Sequence, residues 1–196
     1  KVIDTTAAGD SFSAGYLADL TDYVADFEEW NNGFFIESMK ASGQMGDGHY
    51  YTVPICTDTR LLFYNKDVFE QAGLPTDWQP ESWEDILDAA RAIRDNCGDD
   101  VVPIWLSSGA AEGEATSMNS YEMLLSGCSD FLMEGDQFIT SSQSILDTLN
   151  FYKTIYTEDL GAPLSVILNG SAAGTGAKEY LPAGKLGIYL DGCWTP

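Results

Sequence analysis

The chemistry open to this chain is bounded first by the groups it holds in small number. There is one histidine, His49, and there are four cysteines, at positions 56, 97, 128 and 193, with no CxxC pair. A structural zinc site draws four ligands at close spacing, so no metal or other cofactor is expected. The cysteines can form one or two disulfides in an exported protein or stay as buried thiols, and both readings stand. Carboxylate, guanidinium and aromatic groups are better supplied. Asp58 and Arg60 lie two residues apart, Tyr51 and Trp105 sit at the ends of strand-like segments, and Trp194 follows the last such segment. Arg60 can bind ligand hydroxyls or pair with the Asp58 carboxylate. Tyr51 and Trp105 can stack on a ligand or pack in a core, whereas Trp30, Trp78 and Trp83 read as packing residues.

The 196 residues suffice for one substantial core or two small lobes, and 44% of them are hydrophobic. With 31 acidic residues against 9 basic ones, the formal net charge is −22. A polyanion of this kind repels nucleic acid and anionic lipid, which argues against both as partners. The acids are spread among apolar residues, as on a solvated acidic surface, and do not form a tail. Apolar runs such as Leu61-Leu62-Phe63-Tyr64 fall far short of the roughly 20 residues of a membrane span. No secretory signal is evident, and a chain that opens on Lys1 is expected to be processed or shortened.

Apolar residues at Leu20, Tyr23, Val24, Phe27, Trp30 and Phe34 predict a helix within 17–35. Three glycines from Gly43 to Gly48 predict a turn, and Tyr50 to Ile55 a short strand. Leu61 to Tyr64 predicts a second strand, followed by a short helix that ends at Gly73. Ser82 and Asp85 have the spacing of a capping box; the helix they start aligns Trp83, Ile86, Leu87, Ala90 and Ile93. A strand is expected over 101–106, a helix over 121–125, and a helix capped by Ser142 with Ile145, Leu146, Leu149, Tyr152 and Ile155 inward. The last strand is expected over 186–190, and the alternation from residue 50 onward indicates an α/β architecture.

Several of these segments carry a resemblance. Val53-Pro54, Asp58, Leu62 to Phe69 (with Tyr64-Asn65-Lys66-Asp67 at its centre) and Ala72-Gly73-Leu74-Pro75 are similar to a run typical of extracellular solute-binding proteins of sugar importers, the family of maltose-binding protein. Ser82 to Leu87, Gly15 to Tyr23, and Ala183 to Ile188 followed by Gly192-Cys193-Trp194 resemble further segments of that family, in order. The resemblance implies an α/β, periplasmic-binding-protein-like two-lobed fold, here incomplete: residues 19–60 as part of the first lobe up to the hinge, and 61–196 as most of the second. It implies a mono- or oligosaccharide-binding component of a bacterial ABC importer. Such a protein is no enzyme, partners the transporter's permease subunits, and is a monomer outside the cytoplasm, in some cases lipid-anchored. The ligand-binding residues it implies are Asp58 as a hinge carboxylate, Trp194 as a stacking ring and Asn119 as a polar contact, with Arg60, Tyr51 and Trp105 beside them. Sugars present hydroxyls and an apolar face, which such groups match.

The head of the chain resembles something else. Asp4 to Leu17, with Gly9-Asp10 at its centre, is similar to the second signature of ribokinase-type sugar kinases, in which Asp10 would be the catalytic base. No other kinase segment follows residue 18, so a sugar kinase is the alternative reading and not the leading one.

Overall fold

Short polar side chains break up the segment that apolar periodicity marks as one helix. The protein is described by a computed structural model over residues 18–54, 59–108, 120–128, 130, 132–135, 137–168, 172–192 and 195, and divides into two units, Lys1–Asp58 and Thr59–Pro196. In the first unit the expected helix becomes α1 (Thr21–Ala25) and α2 (Glu28–Asn31), followed by α3 (Glu37–Ser42). The Asp19 carboxylate accepts from the Thr21 amide at 2.9 Å, and the Asn31 side chain donates to the carbonyls of Ala25 and Phe27 at 2.8 and 3.1 Å. Such bonds compete with the helical ladder, which is why periodicity overstated this helix. Val24 and Trp30 are buried, but Tyr23, Phe27 and Phe34 are exposed.

Trp30 anchors the unit, with the rings of Phe35 and Tyr50 at 5.3 and 5.0 Å. Lys40 is buried beside it: its ammonium donates to the Trp30 carbonyl at 3.0 Å, pairs with Glu37 at 2.5 Å and lies over the Trp30 ring. The turn over 43–48 forms as expected. The following strand does not: Gln44 and Tyr50 make one antiparallel bridge, residues 51–54 are irregular, and 55 lies outside the described residues.

The second unit is built on a three-stranded sheet with helices on both faces. In chain order its elements are β1 (Arg60–Tyr64), α4 (Lys66–Gln71), α5 (Trp83–Asn96), β2 (Val102–Trp105), α6 (Glu122–Gly127), the hairpin β3 (Met133–Glu134) and β4 (Gln137–Phe138), α7 (Gln143–Thr157), α8 (Leu164–Ile167), α9 (Ala172–Thr175) running into a π-helical turn over Gly176–Tyr180, and β5 (Leu186–Gly192). The strand order is β1-β5-β2; β5 is antiparallel to β1 and parallel to β2. Both long helices start where their caps predict. Ser82 and Asp85 form the complete capping box of α5, and the Ser142 hydroxyl accepts from the Ile145 amide of α7 at 3.1 Å.

One core cluster packs Ile104, Ile188 and Leu190 against Val68 and Phe69 of α4, Leu87, Ala90 and Ile93 of α5, and Phe151 and Ile155 of α7. A second cluster packs Val102, Trp105, Leu186 and Tyr189 against Ile167 and Ala177. Gly187 lets α5 approach the central strand, since a Cβ there would lie 2.5 Å from Ile93 Cδ1 and 2.8 Å from the Pro103 carbonyl oxygen. The inward stripe of α7 differs from the expected one: Thr148, Phe151 and Ile155 are buried, while Leu146 and Leu149 are about half exposed. Cys97 and Cys128 are thiols, and burial pushes the Cys97 thiol up. Cys56 and Cys193 lie outside the described residues. No described helix is long and apolar enough to cross a membrane.

Candidate functional site at the carboxyl edge of the sheet

Because β2 and β5 run parallel, their carboxyl ends emerge on one edge; because β1 runs the other way, its first residue arrives there too. Arg60 pairs opposite Gly192, and Leu61 opposite Asp191. Asp191 is buried and its carboxylate accepts from the Thr195 hydroxyl at 2.7 Å. Ser107 and Ser108 follow the end of β2. In open α/β sheets, ligands bind outside the carboxyl ends of the strands.

Helix α7 adds a hydroxyl-bearing stripe to this edge. The Tyr156 phenol lies against the Ser108 hydroxyl and within 3.4 Å of the Leu106 carbonyl oxygen, and four residues further on the Leu160 carbonyl accepts from the Ile104 amide. The helix therefore runs antiparallel to β2, so its earlier turns, bearing Tyr152 and Thr148, follow Tyr156 in the direction of the strand's carboxyl end. Burial pushes both phenols up; the Ser120 hydroxyl, close to Tyr152, offsets part of that push without the geometry of a formed hydrogen bond. The side-chain oxygens of Ser107, Ser120, Thr148 and Tyr152 are buried with no hydrogen-bond partner among the described residues. An unpaired buried hydroxyl costs about 1–3 kcal/mol, so a cluster of them marks a place where something other than packing set the sequence.

Of the residues singled out from sequence, Arg60 stands at this edge, half-buried at the start of β1. Asp58, Asn119 and Trp194 lie outside the described residues; in sequence Asn119 precedes Ser120 and Trp194 precedes Thr195, while Asp58 stands two residues before Arg60. Trp105 is fully buried, with the Tyr180 ring at 5.1 Å and Gly176 so close that a Cβ there would sit 3.0 Å from the indole. It packs in the core and leaves no ring face open to a ligand. Tyr51, in the first unit, donates to the Asp47 carboxylate at 2.9 Å, a bond that raises its phenol; the Asp47 carboxyl is lowered first by the His49 amide and then by this bond. The hydroxyl stripe at Thr148, Tyr152 and Tyr156 was missed. Its signal was legible: three hydroxyl side chains four residues apart on one helix face.

A hollow lies at the opposite, amino end of β2, with a volume of about 450 Å³ and Asp99, Asp100, Asp159, Glu179 and Lys185 in its wall. Among the described residues no group of three or more histidine, cysteine or acidic side chains could hold a metal ion.

The chain matches the model of the bacterial extracellular solute-binding proteins over residues 2–195. It belongs to that family. The match runs through the segment that resembles a sugar-kinase signature, whose residues lie outside the described ones. An sn-glycerol-3-phosphate-binding periplasmic protein of Rhizobium meliloti is 34% identical over 65 residues, which cover 31% of this chain and 15% of the relative. An arabinooligosaccharide-binding protein of Halalkalibacterium halodurans is 24% identical over 123 residues, 58% of this chain and 24% of the relative. An ABC transporter solute-binding protein of Thermotoga lettingae, solved with α-D-tagatose, shares the fold with a TM-score of 0.71 at 23% identity, over 94% of this chain and 45% of that one. The solute-binding protein described here thus spans less than half the length of each of these relatives.

Proposed function

We propose that this solute-binding protein is the carbohydrate-capturing component of a bacterial ABC importer, handing a mono- or oligosaccharide to permease subunits outside the cytoplasm. The observation that carries this reading is the gathering of Arg60, Asp191, Thr195 and a set of hydroxyl side chains on the carboxyl edge of the sheet in a chain of this family. Arg60 supplies a planar fork for sugar hydroxyls, Asp58 a carboxylate two residues away, Asn119 an amide and Trp194 a ring for the apolar sugar face. In the complete two-lobed protein the sugar is held between the lobes. The protein acts as a monomer and performs no chemistry on its ligand.

Calorimetry of the complete two-lobed protein against a panel of mono- and oligosaccharides tests the proposal; binding by at least one is the expected result, and silence across the panel sinks it. Trp194→Ala should weaken that binding by about 1–3 kcal/mol, the scale of a buried aromatic contact. An unchanged affinity removes Trp194 from the site.

A further inference from the structure

We infer that Asn32-Gly33, in the first unit, is a self-modification site, where the asparagine loses its amide through a succinimide and the main chain is rerouted as isoaspartate. Of the asparagines among the described residues, at 31, 32, 65, 96 and 150, Asn32 alone precedes a glycine. The reaction needs the next main-chain nitrogen to reach Cγ of the asparagine, and a Cβ on that next residue crowds the approach. Gly33 has no Cβ, has φ +84°, and nothing lies within 4 Å of where one would be. Both residues are exposed, so water reaches them.

The steps balance with water as the sole reagent. Hydroxide takes the proton of the Gly33 amide, and the nitrogen attacks Cγ of Asn32. The new N–Cγ bond closes a five-membered ring, the Cγ–Nδ2 bond breaks, and Nδ2 leaves with an added proton as ammonia. Water then opens the ring at either carbonyl. Opening at Cγ restores the chain with aspartate; opening at the main-chain carbonyl, which is the more electrophilic, leaves the chain running through Cγ and frees a carboxylate.

Local structure sets which asparagine reacts. Asn32 follows the four-residue helix α2, with φ −95° and ψ 9°. Ring closure requires ψ to leave that value, because the Gly33 nitrogen must swing to the side of Cβ. Resistance comes from the Asn32 amide, which donates to the Glu28 carbonyl at 3.0 Å, and from the Phe34 amide, which donates to Asn32 Oδ1 at 3.1 Å. Both bonds lie at the exposed end of a single turn, where opening costs far less than unfolding. Other asparagines are held more firmly. The Asn31 side chain donates to the Ala25 and Phe27 carbonyls, Asn65 caps α4, Asn96 donates to the Ala92 carbonyl, and Asn150 lies within α7. Asp47-Gly48 offers the same ring by loss of water, but only from a protonated carboxyl. The His49 amide and then the Tyr51 phenol hold that carboxyl in its ionised form.

Isoaspartate adds a methylene to the main chain between α2 and Phe34. The Phe35 ring, 5.3 Å from Trp30, follows directly, so the product loosens the aromatic anchor of the first unit.

The test is ageing of the protein in buffer, followed by tryptic mapping with fragment-ion masses, which separate Asn32 from Asn31 and from the Asn169-Gly170 pair outside the described residues. Asn32 should exchange NH2 for OH at least about 10-fold faster than Asn31, Asn65, Asn96 or Asn150. The rate should rise as pH is raised from about 7 to about 9, with isoaspartate exceeding aspartate. An Asn32 amide that lasts as long as the other four, or a product that is aspartate alone, overturns the inference. The native rate should lie within about 100-fold of the rate in guanidinium chloride; stronger suppression means that only global unfolding frees the site, and overturns the local opening. In guanidinium chloride, where folding plays no part, Gly33→Ala should slow the reaction at least about 10-fold; an equal rate overturns the role of Gly33. An aged sample should also unfold at a lower denaturant midpoint than Asn32→Asp, which adds the charge without the methylene. Coincident midpoints overturn the loosening of the Trp30 anchor.

Discussion

Gly187 and Trp105 show how single positions fix the core of the second unit. A methyl group at position 187 would meet a backbone carbonyl oxygen at 2.8 Å as well as the Ile93 side chain, and the carbonyl cannot move aside as a side chain can. Gly187→Ala should therefore destabilise the protein by about 1–3 kcal/mol through overpacking, read from the midpoint of denaturant unfolding. The Trp105 ring is enclosed by Gly176 and Tyr180 in the second of the two core clusters. Trp105→Phe leaves a cavity and should cost roughly 1–3 kcal/mol of stability while sugar affinity in the folded variant stays within about twofold. A large loss of affinity with no loss of stability would return Trp105 to the binding site. Sequence left Trp105 open between these two roles, because a tryptophan at a strand end looks the same in either.

At the scale of elements, the caps were legible and the faces were only partly so. The Ser82–Asp85 box was readable because both partners lie within four residues, and both of its hydrogen bonds are present. Ser82→Ala should cost about 0.5–2 kcal/mol, measured by thermal or chemical unfolding. The Asp85 carboxyl is held below its ordinary value of 3.8, first by the Glu81 amide and then by Ser82. A depressed folded-state value means that the stability it confers is present above pH 3.8 and is lost as pH falls through the lower value. The stability gap between the parent and Asp85→Asn should thus be constant near neutrality and close below about pH 4. A gap that widens on acidification would show that the carboxylate is not the stabilising form. In α7, apolar periodicity placed Leu146 and Leu149 inward, yet both are about half exposed and Thr148 is buried, while Tyr152 packs against the core as expected. That rotation is set by where the chain crosses β2, a long-range fact that a local pattern does not contain.

At the scale of the molecule, charge is the dominant property. With 31 acids and 9 bases, much of the surface repels itself, and several of the bases are tied into pairs. Added salt screens repulsion between exposed charges over a distance of about 10 Å at 0.1 M. The melting temperature should therefore rise between 10 mM and 500 mM sodium chloride, by several degrees in a scanning fluorimeter. A fall would mean that the attractive pairs around Arg91 outweigh the net repulsion.

Sequence by itself determined the α/β alternation, the two long helices and their caps, and the family. These are legible because they depend on residues close in the chain or on ordered motifs. The tertiary structure decided which candidates meet. Antiparallel β1 and parallel β2 and β5 bring Arg60, Ser108, Asp191 and Thr195 to one edge from three distant parts of the chain. The same crossing of α7 over β2 carries its hydroxyls there and leaves Trp105 sealed beneath Gly176. Strand direction and order arise from the packing of the whole sheet, so no stretch of residues read alone could have announced that edge.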